Sequence, residues 1–473
     1  MNNMEATFVI IGGGISGVSC AESIAFLAPK ESVILITASP LIKSITNVLP
    51  FGQTLTQFDV EECVTESLNS THPTVTVIKD VVVRVEKKKN SVITEKGKVI
   101  IYKKLCICTG ARSKLIFDNS KIIGIRDTES LENFLEKLRS AKKIIVIGNG
   151  GIAIELVHEI NGVDIVWVIK DKHISATFVD PGAAEFFQEK LSKTNLDVNN
   201  QITKRIKYTV SKDESKVGGS ALGPDWRNNI ELNVNVSRFE QTSVQVEYEC
   251  EVLKLIDPSE IPSDNDREKW PIYAQLSNGK IIGCDFIVSA TGVTPNSNIP
   301  GLESVKRAKD GGYVVDSNME TSEKNIYAAG DVCTVGWEIA FHWFQMRLWT
   351  QAFQMGRYAA KAMVSMFKGE DFFQDFCFEL FTHVTKFFGY KVILLGLFNG
   401  QKLDNEYEIL LRVTKGREYV KLILKNGKMQ GAVLIGETDL EEVCENLILN
   451  QLDLSAYGED FLNPDIDIED YFD

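Results

Sequence analysis

The stretch Phe8-Val-Ile-Ile-Gly-Gly-Gly-Ile-Ser-Gly-Val-Ser-Cys-Ala-Glu22 decides the fold. Its β-branched run reads as a strand, the glycine cluster as a tight turn, and the mixed stretch after it as a helix. Gly12, Gly14 and Gly17 stand in G-x-G-x-x-G spacing directly after the strand. In that pattern the first glycine permits the turn, the second lets the backbone approach a pyrophosphate, and the third lets helix and strand pack closely. The helix N-terminus then faces the phosphate charge.

One copy of this pattern is weak evidence, but it returns as Lys143-Ile-Ile-Val-Ile-Gly-Asn-Gly-Gly-Ile-Ala-Ile-Glu155. Gly148 and Gly150 take the first two positions, and Ala153 takes the third, as the fingerprint allows. Apolar runs follow each copy, Val33-Ile-Leu-Ile-Thr37 and Asp164-Ile-Val-Trp-Val-Ile169, and complete two βαβ units.

The expected fold is α/β. It has two Rossmann-like dinucleotide-binding domains, the second inserted in the first, plus a C-terminal α+β domain. Residues 1–125 and 296–375 form the first domain, because Asn325-Ile-Tyr-Ala-Ala-Gly-Asp331 supplies a strand that its sheet needs. Residues 126–295 form the second, with a polar insertion of little periodicity within 193–270. Residues 376–473 form the last, where apolar runs are separated by Asn399-Gly400 and Asn426-Gly427, a strong hairpin signal. The tail after Asn463 alternates acids with apolar residues and reads as a frayed end or as a docking peptide.

The net charge of −14 opposes broad contact with phosphate backbones, so no direct nucleic-acid binding is expected. No run of about 18 apolar residues suggests a membrane span. The N-terminus runs straight into the first motif, which points to the cytoplasm, with the nucleus as a further location. The nine cysteines are scattered and odd in number, fitting reduced thiols. Cys106 and Cys108 lie two apart on an apolar strand and read as small core residues. No metal is expected.

The fingerprint has an acid about 20 residues on to bind a ribose. Here the first copy offers only Thr37 and Ser39 at that place, both neutral. The second offers Lys170-Asp171-Lys172. A base there accommodates the 2′-phosphate of NADP, and an acid favours NAD. The same charges also read as a solvated strand–loop corner.

These motifs, with Thr109-Gly110, Ala290-Thr291-Gly292-x-x-Pro295-Asn296 and Thr321 through Gly330-Asp331, resemble those of class I pyridine nucleotide-disulphide oxidoreductases in the same order. The resemblance implies FAD at the first site and NAD(P)H at the second. It implies that Asp331 hydrogen-bonds the ribityl chain with Gly330 close by, and that Thr109 and Gly110 lie against the adenine side. Gly292 would also be a cofactor contact. Glu155 would sit near the flavin, with Lys43 as its cationic partner. Trp343 through Trp349 would form the helix beneath the isoalloxazine ring, or serve as ordinary core.

The chain departs from the family at one point. Its disulphide reductases carry reactive cysteine on the helix after the first two strands. Here Ser39 to Val48 has none, and Cys63 beyond it neighbours the acids Glu61 and Glu62 rather than the cations that activate a thiol. The expected activity is therefore hydride transfer from NAD(P)H to FAD, then electron transfer to oxygen, a quinone or a partner protein. The alternative is a redox-sensing interaction protein. By the resemblance its partner would be the tRNA ligase complex, guarded from oxidation. Composition and spacing do not identify that partner.

Overall fold

The computed structural model describes residues 3–191, 204–209, 243–261, 269–404 and 406–463. The chain divides into two compact units, Met1–Arg112 with Thr294–His383, and Ser113–Val293 with Val384–Asp473. Three helices bear on function: α1 (Ile15–Leu27), α2 (Gly151–Glu159) and α3 (Trp349–Lys368).

At the centre of the first unit is β1 (Asn3–Ile11), buried from Ala6 onward. It pairs in parallel with β2 (Val33–Thr37) on one side and with Val99–Ile107 on the other. The sheet continues in parallel through Val75–Lys79 beyond β2, and Ile326–Ala328 adds in parallel to Val99–Ile107. Strands covered on both faces read as continuous apolar runs, as the β-branched residues here do. On this sheet α1 and α3 touch backbone to backbone. A Cβ on Gly356 would come within 2.3 Å of the Ser16 carbonyl oxygen.

Two local expectations fail in this unit. The region after β2 is not a helix. It is β3 (Leu41–Pro50), paired antiparallel with β4 (Thr56–Val64). Ile42, Ile45 and Thr46 are β-branched and strand-favouring, and each pairs with a residue of the partner strand. Nor is Trp343–Leu348 helical, since α3 begins at Trp349. The aromatic residues anchor that segment instead. Trp343 is buried, and Phe344 stacks on Phe381 at 4.2 Å between ring centroids. The Gln351 side chain satisfies its backbone, donating to the Phe344 carbonyl and accepting from the Met346 N–H.

In the second unit a parallel sheet runs Ile122–Ile123, Phe286–Ser289, Lys143–Ile147, Asp164–Val168 and Val244–Glu247. A separate antiparallel sheet includes Glu408–Thr414, Glu418–Lys425, Lys428–Gly436 and Tyr390–Gly396. Its turn at Asn426-Gly427 has positive φ at both residues, 52° and 71°, as a two-residue hairpin requires. The strand Lys204–Thr209 comes from the polar insertion and joins this sheet beside Glu408–Thr414. Most of the insertion and the acidic tail lie outside the described residues.

Candidate functional site

The two glycine turns are built alike. Gly12 has φ 121°, and a Cβ there would meet the Cys108 carbonyl oxygen at 2.1 Å. A Cβ on Gly17 would meet the Gly12 carbonyl oxygen at 1.9 Å, so helix and turn are in backbone contact. Gly14 differs, because a Cβ there would meet nothing within 4 Å. It faces open space at the N-cap of α1. No side chain caps that end, and no acid lies in its first turn. The open cradle and uncapped N–H groups suit a pyrophosphate.

Around this turn, Thr37 and Ser39 close their own loop. The Thr37 hydroxyl donates to the Ser39 carbonyl at 3.2 Å, and the Ser39 Oγ accepts from the Leu41 N–H at 3.2 Å. The Lys43 N–H donates to the Gly13 carbonyl at 3.0 Å. Its ammonium pairs with Glu62 at 3.5 Å and lies 5.2 Å from the Trp349 ring centroid. Lys43 therefore joins the glycine turn, the hairpin and the first residue of α3. Glu155, on α2, belongs to the other unit and is half-buried.

Thr109 and Gly110 meet Asn296. The Thr109 hydroxyl donates to the Asn296 carbonyl at 2.8 Å, and the Asn296 side-chain amide donates to the Thr109 carbonyl at 3.0 Å. The Asn296 N–H donates to the Gly110 carbonyl at 2.9 Å. Gly330 has φ 79°, and a Cβ there would press on Ser16 at 2.9 Å. Asp331 beside it is buried. Its carbonyl accepts from Arg347 Nε at 3.0 Å, and the same guanidinium pairs with Asp310 at 2.6 Å. The Gln345 side chain acts as a strand surrogate, accepting from the Val335 N–H and donating to the Cys333 carbonyl. Asn296, Arg347, Gln345 and Asp310 thus support the site; the Asn296 motif and the Trp343–Trp349 segment marked the first three in the sequence, and nothing there marked Asp310.

In the second unit, a cavity of about 440 Å³ opens over the other turn. Gly148, Gly150, Lys170, Asp171 and Gly292 line it together. Its size lies in the ordinary range for ligand pockets, ~300–1,000 Å³. Gly148 has φ 126°, and a Cβ would collide with the Ala290 carbonyl oxygen at 2.2 Å. Gly150 is the N-cap of α2, again without a side-chain cap, and Ala153 is fully buried behind it. Trp167 Nε1 donates to the Gly148 carbonyl at 2.7 Å. Asn149 orders the corner. Its amide donates to the Asp171 carboxylate and to the His173 carbonyl, each at 2.9 Å, and its oxygen accepts from the Ser175 N–H.

Cys106 and Cys108 are buried with sulfurs 3.5 Å apart, as small core residues would be. The hydrogen bond with Cys106 and burial raise the Cys108 thiol well above its ordinary range. Burial pushes the Cys333 thiol up to about 12. Cys63 stands opposite Ile42 in the hairpin and packs against the core. Among the described residues no cluster suits a metal ion, and no helix is long and apolar enough to cross a membrane.

The sequence model of the pyridine nucleotide-disulphide oxidoreductases matches residues 4–221 and 234–356, and that of the rubredoxin NAD+ reductase C-terminal domain matches 383–452. The chain is 50% identical to the human protein named pyridine nucleotide-disulfide oxidoreductase domain-containing protein 1, over 98% of each chain. A ferredoxin reductase from Rhodopseudomonas palustris shares the fold with TM-score 0.64 at 18% identity, covering 91% of each chain. An NAD-dependent persulfide reductase from A. fulgidus aligns with TM-score 0.64 at 18% identity, over 95% of this chain and 77% of its own.

Proposed function

We propose, for a chain that belongs to the pyridine nucleotide-disulphide oxidoreductase family, that it is a flavoprotein oxidising NAD(P)H without a redox-active cysteine pair. FAD, when bound, accepts hydride from the nicotinamide and passes electrons to oxygen, a quinone or a partner protein. In this reading the Gly14 cradle and the α1 N-terminus hold its pyrophosphate. Asp331, fixed through Arg347, takes the ribityl chain. The uncapped N-terminus of α3 offers positive dipole charge to the ring system. Lys43 positions the hairpin against Trp349. Gly148, Gly150 and Gly292 hold the nicotinamide nucleotide, with Lys170 and Asp171 at its ribose end. Hydride transfer needs alignment and exclusion of water rather than a protein acid or base, and these residues supply positioning.

The observation that carries this reading is an intact glycine turn in each unit, together with a hairpin of the first unit whose cysteine, Cys63, is half-buried against the core. The test is anaerobic titration of the purified yellow protein with NADH and NADPH. One equivalent should bleach the flavin. Replacing Cys63, Cys106 and Cys108 together with Ala should leave the bleaching rate within about threefold, a change of under 1 kcal/mol. Lost reduction in a folded, flavin-replete variant would restore a thiol mechanism.

The burial of the Cys106, Cys108 and Cys333 thiols favours a second reading, since none of these three can hand electrons to a partner at the surface. Stoichiometric reduction would then set a conformation that a partner reads, such as the tRNA ligase complex in cytoplasm or nucleus. Fast turnover with oxygen supports the oxidase. Reduction that stops at one equivalent with oxygen present supports the sensor.

A further inference from the structure

A second cavity, of about 200 Å³, opens in the first unit between the turn joining β3 to β4 and one face of α3. No residue of either glycine turn lines it. On α3 its wall is built by residues three and four apart, which share a helix face: Thr350, Phe353, Gln354, Arg357 and Lys361.

Its charges are unevenly matched. Lys361 is tied to Asp375 in an ion pair, which, with the more distant charge of Arg357, draws the Asp375 carboxyl below its ordinary value although burial opposes this. Arg357 is exposed at the rim, with its guanidinium carbon 5.2 Å from the Phe353 ring centroid. The wall therefore carries one excess positive charge in a chain of net charge −14. Phe353 in turn faces Phe58 at 5.2 Å between centroids, tilted by 55°.

We propose that this cavity binds a single-ring aromatic carboxylate. Three features select that class. The volume holds one ring, since a cavity of ~150 Å³ takes a benzene. Phe58 and Phe353 offer a tilted pair of faces against which such a ring packs edge or offset. The planar guanidinium of Arg357, held over Phe353, matches a carboxylate with two parallel hydrogen bonds. A nucleotide is too large for the space, and a bare inorganic anion would leave the aromatic walls unfilled.

The test uses the full chain as purified, with NAD+ in excess to fill the nicotinamide cavity, and benzoate as probe. Calorimetry and ligand-observed NMR should show saturable binding of one benzoate. Arg357→Ala should weaken it at least tenfold. Arg357→Lys, which keeps the charge but loses the fork, should fall between the two. Phe353→Leu should weaken it several-fold without changing NAD+ binding, and cyclohexanecarboxylate should bind less tightly than benzoate. Benzoate binding that is unchanged in Arg357→Ala, or no saturable binding to the wild type, overturns the proposal.

Discussion

Thr109 and Asn296 hold each other reciprocally, each donating a side-chain hydrogen bond to the other's backbone carbonyl, at 2.8 and 3.0 Å. The pair joins two segments 187 residues apart within the first unit. Removing the Asn296 amide leaves the Thr109 carbonyl short of a partner, at a cost of roughly 1–3 kcal/mol. Asn296→Ala should lower the unfolding midpoint by several degrees and reduce flavin retained through purification. Unchanged melting and flavin content would show that the clasp contributes nothing.

The glycine turn separates folding from binding. Gly12→Ala places a Cβ 2.1 Å from a backbone oxygen at φ 121°, so it should destabilise the first unit and give little soluble protein. Gly14→Val meets open space and should fold with wild-type circular dichroism, yet be colourless, because the side chain fills the phosphate cradle. A yellow Gly14→Val protein would remove the first turn from the flavin site.

Nucleotide choice should rest on Lys170. The Asp171 carboxylate accepts from Asn149 at 2.9 Å and is bound up in ordering the turn, while Lys170, its neighbour in the chain, is a cation on the cavity wall, which Lys114 also lines. Lys170→Glu should shift the ratio of kcat/KM for NADPH over NADH at least tenfold towards NADH, about 1.4 kcal/mol. A ratio that does not move would place the 2′-phosphate elsewhere.

His383 predicts a pH limit. Burial lowers its imidazole from the ordinary 6.5 to about 4, with Thr350 Oγ1 3.2 Å from its Nδ1. The unfolded chain takes up a proton as the pH falls below 6.5, while the folded ring stays neutral until about 4. Stability from this group is complete above pH 6.5 and is lost between 6.5 and 4, by roughly 3 kcal/mol. His383→Gln should flatten the fall of the urea midpoint across that window. An equal fall in both proteins would assign the acid sensitivity to other groups.

The sequence alone determined the glycine turns and the Asn426-Gly427 hairpin, because their constraints are local. Gly12 and Gly148 need positive φ where a Cβ would strike backbone, and few residues satisfy that. The same locality made the two dinucleotide folds legible, since each strand, turn and helix is adjacent in the chain. Tertiary structure decided the rest. Leu41–Pro50 became a strand because β4 supplied its partners, and that turned Cys63 towards the core opposite Ile42. The segment before Trp349 stayed irregular because Phe381 and Gln351 hold it by stacking and by side-chain hydrogen bonds. Lys204–Thr209 found its place only against Glu408–Thr414, some 200 residues on. Such pairings bury surface between distant segments, so neither strand contains the information about its partner.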